Sequence, residues 1–241
     1  MGNQPAPRTL REERRPSPMR RTIADRLGES YREAVHVTVS REVDAEALVA
    51  AADAAGVSLV DVLVRALSDA LDAHPAFNAT FEDGTHRLYE EHNVGIAVTI
   101  EDGLVAPVVA DVGNRDLDDI AAERERLTAA VQSGDYAMAD LRGGTFTVSN
   151  LGPLGVDGFT PIINPPEVAI LGVNRVRERA RPAGADRDST GGRPEADDGG
   201  VVFRETLPLD LSFDHRVVDG ADAARFLGTL AERIEGAEAY V

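Results

Sequence analysis

Among the side chains able to move a proton near neutral pH, this chain carries five histidines: His36, His74, His86, His92 and His215. One of them stands apart. Leu207, Leu209, Leu211 and Phe213 alternate with Pro208, Asp210, Ser212 and Asp214, the period-two pattern of a strand with one apolar face. His215 continues the apolar parity, so it is expected at the strand end and pointing inward. Asp214, Arg216, Asp219 and Gly220 surround it in sequence. A neutral imidazole among acids suits general-base work. The other four histidines read as structural or solvated. A metal reading of His215 with Asp219 lacks the further ligands a coordination shell needs.

Missing residue types narrow the chemistry further. The 241 residues include no cysteine, which removes thiolate nucleophiles, disulfides and zinc ribbons. The 25 basic residues are all arginine. Lysine Schiff bases and the phosphate-loop lysine are therefore excluded. A net charge of −17 repels phosphate at long range, so nucleic acid is not an expected partner. The acid excess resembles that of proteins working in concentrated salt, where self-repulsion is screened within about 3 Å. No apolar run reaches the roughly 18 residues of a membrane span, and the first residues lack the apolar core of a signal peptide. The expectation is a cytoplasmic chain with no membrane partner.

The elements that must position His215 follow from local patterning. Residues 1–18, rich in Pro, Arg and Glu, read as a disordered arm. A helix is expected from Met19 to Ala34, with Met19, Ile23, Leu27 and Tyr31 along one stripe, then a strand over His36–Val43. Ala45–Ala55 reads as a helix stopped by Gly56. Ser58 and Asp61 form a capping box for another helix, with Leu59, Leu63, Leu67 and Leu71 inward. Strands are expected over 78–81, 87–89, 94–100, 104–109, 144–150 and 167–173, with a helix over 117–131. Residues 178–200 read as a flexible surface loop, and Phe226, Leu227, Leu230 and Ile234 mark a closing helix. Together these describe an α/β chain, a mixed β-sheet with helices packed on it.

Five stretches, in order, resemble one family. Ser212-Phe213-Asp214-His215-Arg216-Val217-Val218-Asp219-Gly220 is similar to the His-x-x-x-Asp-Gly signature of the dihydrolipoamide acyltransferase component of 2-oxoacid dehydrogenase complexes. Gly143–Gly152, Ile162–Val173, the pair Asn93–Val98 and Asp102–Val105, and the Met19–Leu27 helix resemble further stretches of its catalytic domain. The resemblance implies a chloramphenicol acetyltransferase-like fold over 19–241 and a homotrimer with active sites between subunits; whether trimers stack into a larger cage stays open. It also implies that His215 and Ser149 of one chain lie far apart.

By the same resemblance the reaction moves an acyl group between a dihydrolipoyl thiol and coenzyme A. His215 is then the general base and Ser149 the oxyanion donor; from the residues alone, the Ser149 hydroxyl would bond its own turn. Asp219 either polarises the site or forms a loop-shaping ion pair with an arginine of the first helix. Asn150 and Ser30 match positions of the CoA pocket. Thr99 stands where the family often has Asp. Phosphate contacts fall to arginine or backbone amides. Neither a lipoyl nor a subunit-binding domain is expected in this sequence, so the lipoyl group comes from another protein. The expected partners are that carrier and the 2-oxoacid dehydrogenase components. Two other readings stay open: a CoA-dependent acyltransferase with a different acceptor, and a non-catalytic scaffold core.

Overall fold

Local signals start and stop the helices of the computed structural model, which describes residues 6, 8–101, 103–182 and 200–241. Ser17 caps α1 (Pro18–Glu33), accepting from Arg20 N. Gly56, left-handed at φ 68°, closes α2 (Glu46–Ala55). Ser58 and Asp61 form the expected capping box of α3 (Leu59–Ala73). Asp116 caps α4 (Leu117–Ser133), and α5 (Gly220–Glu235) follows Asp219.

The strands are β1 (His36–Asp44), β2 (Ala79–Glu82), β3 (Thr85–Leu88), β4 (Val94–Ile96), β5 (Val98–Ile100), β6 (Gly103–Val105), β7 (Val108–Val109), β8 (Phe146–Asn150), β9 (Ala169–Val173), β10 (Arg177–Pro182) and β11 (Val201–Asp214). Seven form one mixed sheet in the order β1-β11-β9-β8-β4-β7, with β10 also on β11. β8 runs parallel to both β4 and β9; the remaining pairs are antiparallel.

Leu207, Leu209, Leu211 and Phe213 are wholly buried in the main core, together with apolar side chains of α2, α3 and α5. Residues paired across strands share a face. The second face therefore carries Thr147 and Ser149 of β8, Gly172 of β9, and Asp210, Ser212 and Asp214 of β11. These polar side chains are buried too, and residues 159 and 167 lie against part of this face: Glu167 accepts from Thr147 Oγ1. Phe159 N donates to Asp210 Oδ2 at 3.1 Å, and a Cβ on Gly172 would lie 3.0 Å from the Phe159 ring.

Several expected boundaries shift. The strand expected over 94–100 breaks at Ala97, where β5 leaves the main sheet to pair with β6. The 104–109 strand breaks similarly into β6 and β7. Glu178–Pro182, expected in a loop, extends the sheet by pairing with Val201–Glu205; residues 183–199 lie outside the described residues. Residues 8–17 carry no regular secondary structure and Pro18 is already helical. On α1, Leu27 and Tyr31 are exposed within the single chain.

Candidate active site

His215 sits one residue past β11, its N–H donating to Val35 O at 2.9 Å. It does not point inward as the alternation predicts: its side chain is 41% exposed. The ladder ends at Asp214, whose carbonyl accepts from Val217 and Val218 N–H. The resulting turn lifts the imidazole out of the core. Its ring centroid lies 5.8 Å from that of Phe213, and Nδ1 lies 3.7 Å from Asp219 Oδ1.

Asp219 is the N-cap residue of α5, and its N–H donates to Asp222 Oδ2 at 3.3 Å. An ion pair between Asp219 and an arginine of α1 is absent among the described residues, because Asp219 is held at the start of α5 beside His215. Asp214 is the acid that grips an arginine. Its carboxylate accepts from Arg216 Nε and Nη2 and from the N–H groups of Arg216 and Val35. Burial would raise the Asp214 pKa, but these donors hold it below the ordinary carboxylate range. The Arg216 guanidinium lies 4.7 Å from the Phe81 ring centroid. Among the described residues, no acid and histidine cluster could hold a metal.

Ser149, buried at 8% exposure, lies in register with Gly172, and Gly172 with Asp210. Its hydroxyl has no hydrogen-bond partner among the described residues, so the bond to its own turn is not made. His215 is five residues along β11 from Asp210. At about 3.3 Å per residue and two strand spacings of about 4.8 Å, His215 and Ser149 are roughly 19 Å apart in one chain.

Asn150 Oδ1 accepts from Gly152 N at 2.9 Å, which fixes the turn after Ser149. A Cβ at Gly152 would meet Asn174 O at 2.7 Å, so this turn needs glycine. Ser30 lies elsewhere. Its hydroxyl donates to Ile163 O at 2.6 Å and is 3.4 Å from His36 Nε2. It lines a cleft of about 530 Å³ with Arg26, Phe81, Asp214 and Arg216, at the His215 end of the sheet. Asn150 is at the Ser149 end, so the chain does not bring the two into one pocket. Thr99 is exposed on β5, opposite Leu104. The other four histidines are hydrogen-bonded: His36 to Ile163 N, His74 to Thr229, His86 to Ala76 O and His92 to Ser68.

Two buried polar clusters escaped the sequence reading. Asp210 accepts from Ser40 Oγ, Phe159 N and Asn174 Nδ2. Glu167 accepts from Thr147 Oγ1 at 2.5 Å and Asn164 Nδ2 at 2.8 Å. Burial pushes Glu167 up to about 7, against those donors and the charge of Arg26. The folded chain thus binds its proton more tightly than the unfolded chain. Stability from this group is full below about pH 4.5 and is lost as pH rises through about 7. Glu167→Gln is expected to raise the unfolding free energy at pH 8 by on the order of 3 kcal/mol, and to change little at pH 4. Denaturant titration at both values checks this; an equal gain at both pH values would contradict it.

The fold is an acyltransferase architecture. A chloramphenicol acetyltransferase, 15% identical, superimposes with a TM-score of 0.54 over 87% of this chain and 94% of its own, a likeness of fold alone. The family model described as 2-oxoacid dehydrogenases acyltransferase (catalytic domain) matches residues 10–241, and the chain belongs to that family. The dihydrolipoyllysine-residue acetyltransferase component of the pyruvate dehydrogenase complex of Bacillus subtilis is 37% identical over 223 residues, 88% of this chain and 47% of that protein. The chain thus spans less than half the length of that relative. Azotobacter vinelandii dihydrolipoamide acetyltransferase, solved to study a serine, a histidine and an asparagine in its catalytic mechanism, is 30% identical. It superimposes with a TM-score of 0.83 over 99% of both chains.

Proposed function

We propose that this chain transfers an acyl group between a dihydrolipoyl thiol and coenzyme A at the core of a 2-oxoacid dehydrogenase complex. The observation that carries the reading is the split pair: an exposed histidine with an acid at Nδ1, and a buried serine hydroxyl with no partner among the described residues, roughly 19 Å away. Such halves complement each other across an interface between copies, as in a homotrimer. The Azotobacter relative supports it, since its histidine and asparagine are four positions apart, as are His215 and Asp219 here.

Asp219 beside Nδ1 favours the tautomer with the proton there, leaving Nε2 as the base. Nε2 takes the proton from the CoA thiol, and the thiolate attacks the thioester carbonyl of the acylated lipoyl group. The new C–S bond pushes the carbonyl electrons onto oxygen, where Ser149 of a neighbouring copy donates a hydrogen bond. Collapse expels the lipoyl thiolate, which recovers the proton from His215. The enzyme forms no covalent intermediate, in keeping with a chain without cysteine.

The names of the relatives favour acetyl as the acyl group. The lipoyl group is supplied by a separate domain or protein, and CoA is a substrate. A cytoplasmic setting and an acidic surface adapted to high salt belong to the same reading. It is tested by acyl transfer from a panel of acyl-CoAs to free dihydrolipoamide in molar KCl. Transfer with acetyl-CoA as best donor supports it. A folded protein that acylates only an amine or hydroxyl, or nothing, overturns it.

A further inference from the structure

One row of residues crosses four strands beside the buried serine. Ser149 on β8 pairs with Gly172 on β9, Gly172 with Asp210 on β11, and Asp210 with Ser40 on β1. The four positions share the second face of the sheet. Gly172 offers no side chain to that face, and Phe159 fills the gap: a Cβ on Gly172 would lie 3.0 Å from the ring, at Cε1 and Cζ. The ring therefore rests about one strand spacing, roughly 4.8 Å, from the Ser149 strand. Phe159 belongs to residues 151–168, which form neither an α-helix nor a strand of their own. A ring placed by such a segment needs an anchor.

The anchor is Asp210. Its Oδ2 accepts from Phe159 N at 3.1 Å and from Asn174 Nδ2 at 2.8 Å, and its Oδ1 accepts from Ser40 Oγ at 2.5 Å. Asn174 Nδ2 also donates to Pro208 O at 3.1 Å, so the amide is fixed from two sides. Asp210 and Asn174 are both buried. The three donors are uncharged, and holding a buried carboxylate with such donors alone is costly. What the carboxylate adds is direction: it fixes the backbone of Phe159, and with it the ring.

The ring bears on the chemistry assigned to Ser149. A hydrogen bond to an oxyanion strengthens where water is excluded and the dielectric is low. An aromatic ring against Gly172 closes one side of the Ser149 hydroxyl to solvent and brings no polar atom to compete for it.

We propose that Asp210 is a positioning residue for acyl transfer: it holds Phe159 against Gly172 and so keeps the surroundings of the Ser149 hydroxyl dry. This rests on the acyl-transfer reading above. Asp210→Ala lowers kcat about tenfold or more and leaves KM for CoA near wild type. The loss depends on Ser149: in a Ser149→Ala background the same substitution changes kcat by about twofold or less. Asp210→Asn, whose amide oxygen accepts from Phe159 N and Asn174 while its NH2 group faces Ser40, recovers most of kcat. Phe159→Ala keeps the backbone bond to Asp210 and shows the same loss with the same dependence on Ser149, which covers an Asp210→Ala chain that fails to fold. Equal losses with and without Ser149, an Asp210→Asn no better than a folded Asp210→Ala, or wild-type kcat in folded Asp210→Ala or Phe159→Ala overturn the proposal.

A second readout does not use activity. The chain has no tryptophan, so Phe159→Trp supplies a single fluorescent reporter. Its emission moves to the red when Asp210→Ala is added and stays in place with Asp210→Asn. If the wild type transfers no acyl group, the reaction assignment fails. A red-shifted reporter then still supports Asp210 as the anchor of residue 159, and an unmoved reporter overturns it whatever the activity.

Discussion

His215→Ala lowers acyl transfer by about 10²- to 10⁴-fold, the range contributed by a positioned general base, and leaves the fold unchanged. The loss follows from the atoms available. With no cysteine and no lysine in the chain, the imidazole is the group placed to deprotonate a thiol near neutral pH. The fold survives because the position is held by backbone: the His215 N–H bonds to Val35 O, and Asp214 O closes the turn. The side chain is exposed, so its removal opens no core cavity. Circular dichroism and single-turnover transfer on the same preparation check both halves. A variant with wild-type turnover, or one that unfolds, contradicts the assignment.

Ser149→Ala is the second large effect, with kcat falling about 10²- to 10³-fold, equivalent to about 2.7–4 kcal/mol of lost transition-state stabilisation. KM for CoA changes little, because the oxyanion exists only after attack. Stability distinguishes this role from a structural one. A buried hydroxyl that bonded its own turn would leave an orphaned partner when removed, at a cost of about 1–3 kcal/mol. Here the hydroxyl has no partner among the described residues, so the unfolding free energy stays close to wild type. Lost stability with retained kcat reverses the interpretation.

The apolar side of this fold was legible because burial writes itself as periodicity. The alternation of Leu207 to Phe213 and the repeat of Leu63, Leu67 and Leu71 both mark wholly buried side chains. The polar side was not. Alternation alone would leave Asp210, Ser212 and Asp214 facing water, yet they are buried: Phe159, in a segment with no strong period, lies against Asp210, Thr38 bonds Ser212, and Arg216 with Val35 N–H holds Asp214. Glu167, in the same segment, is buried against Thr147 of β8. His215 went the other way: its parity matched the strand, but the chain turned one residue sooner. The strand β10 was hidden by composition, since all of it from Glu178 on reads as part of a charged surface loop. Its pairing with β11 depends on partners 19 to 29 residues away in sequence. Of the candidate site residues, His215 stood out by its place at a strand end among acids, Ser149 only through the resemblance of motifs, and their separation follows from strand register.

The proposed site is completed by two copies, and mixing the two inactive variants tests that directly. Chains carrying His215→Ala retain Ser149, and chains carrying Ser149→Ala retain His215. Co-expressed and purified as one oligomer, they regain transfer at about one site in four under random mixing, while each variant alone stays near its own low rate. Mixed oligomers no more active than the average of the two variants would contradict a shared site.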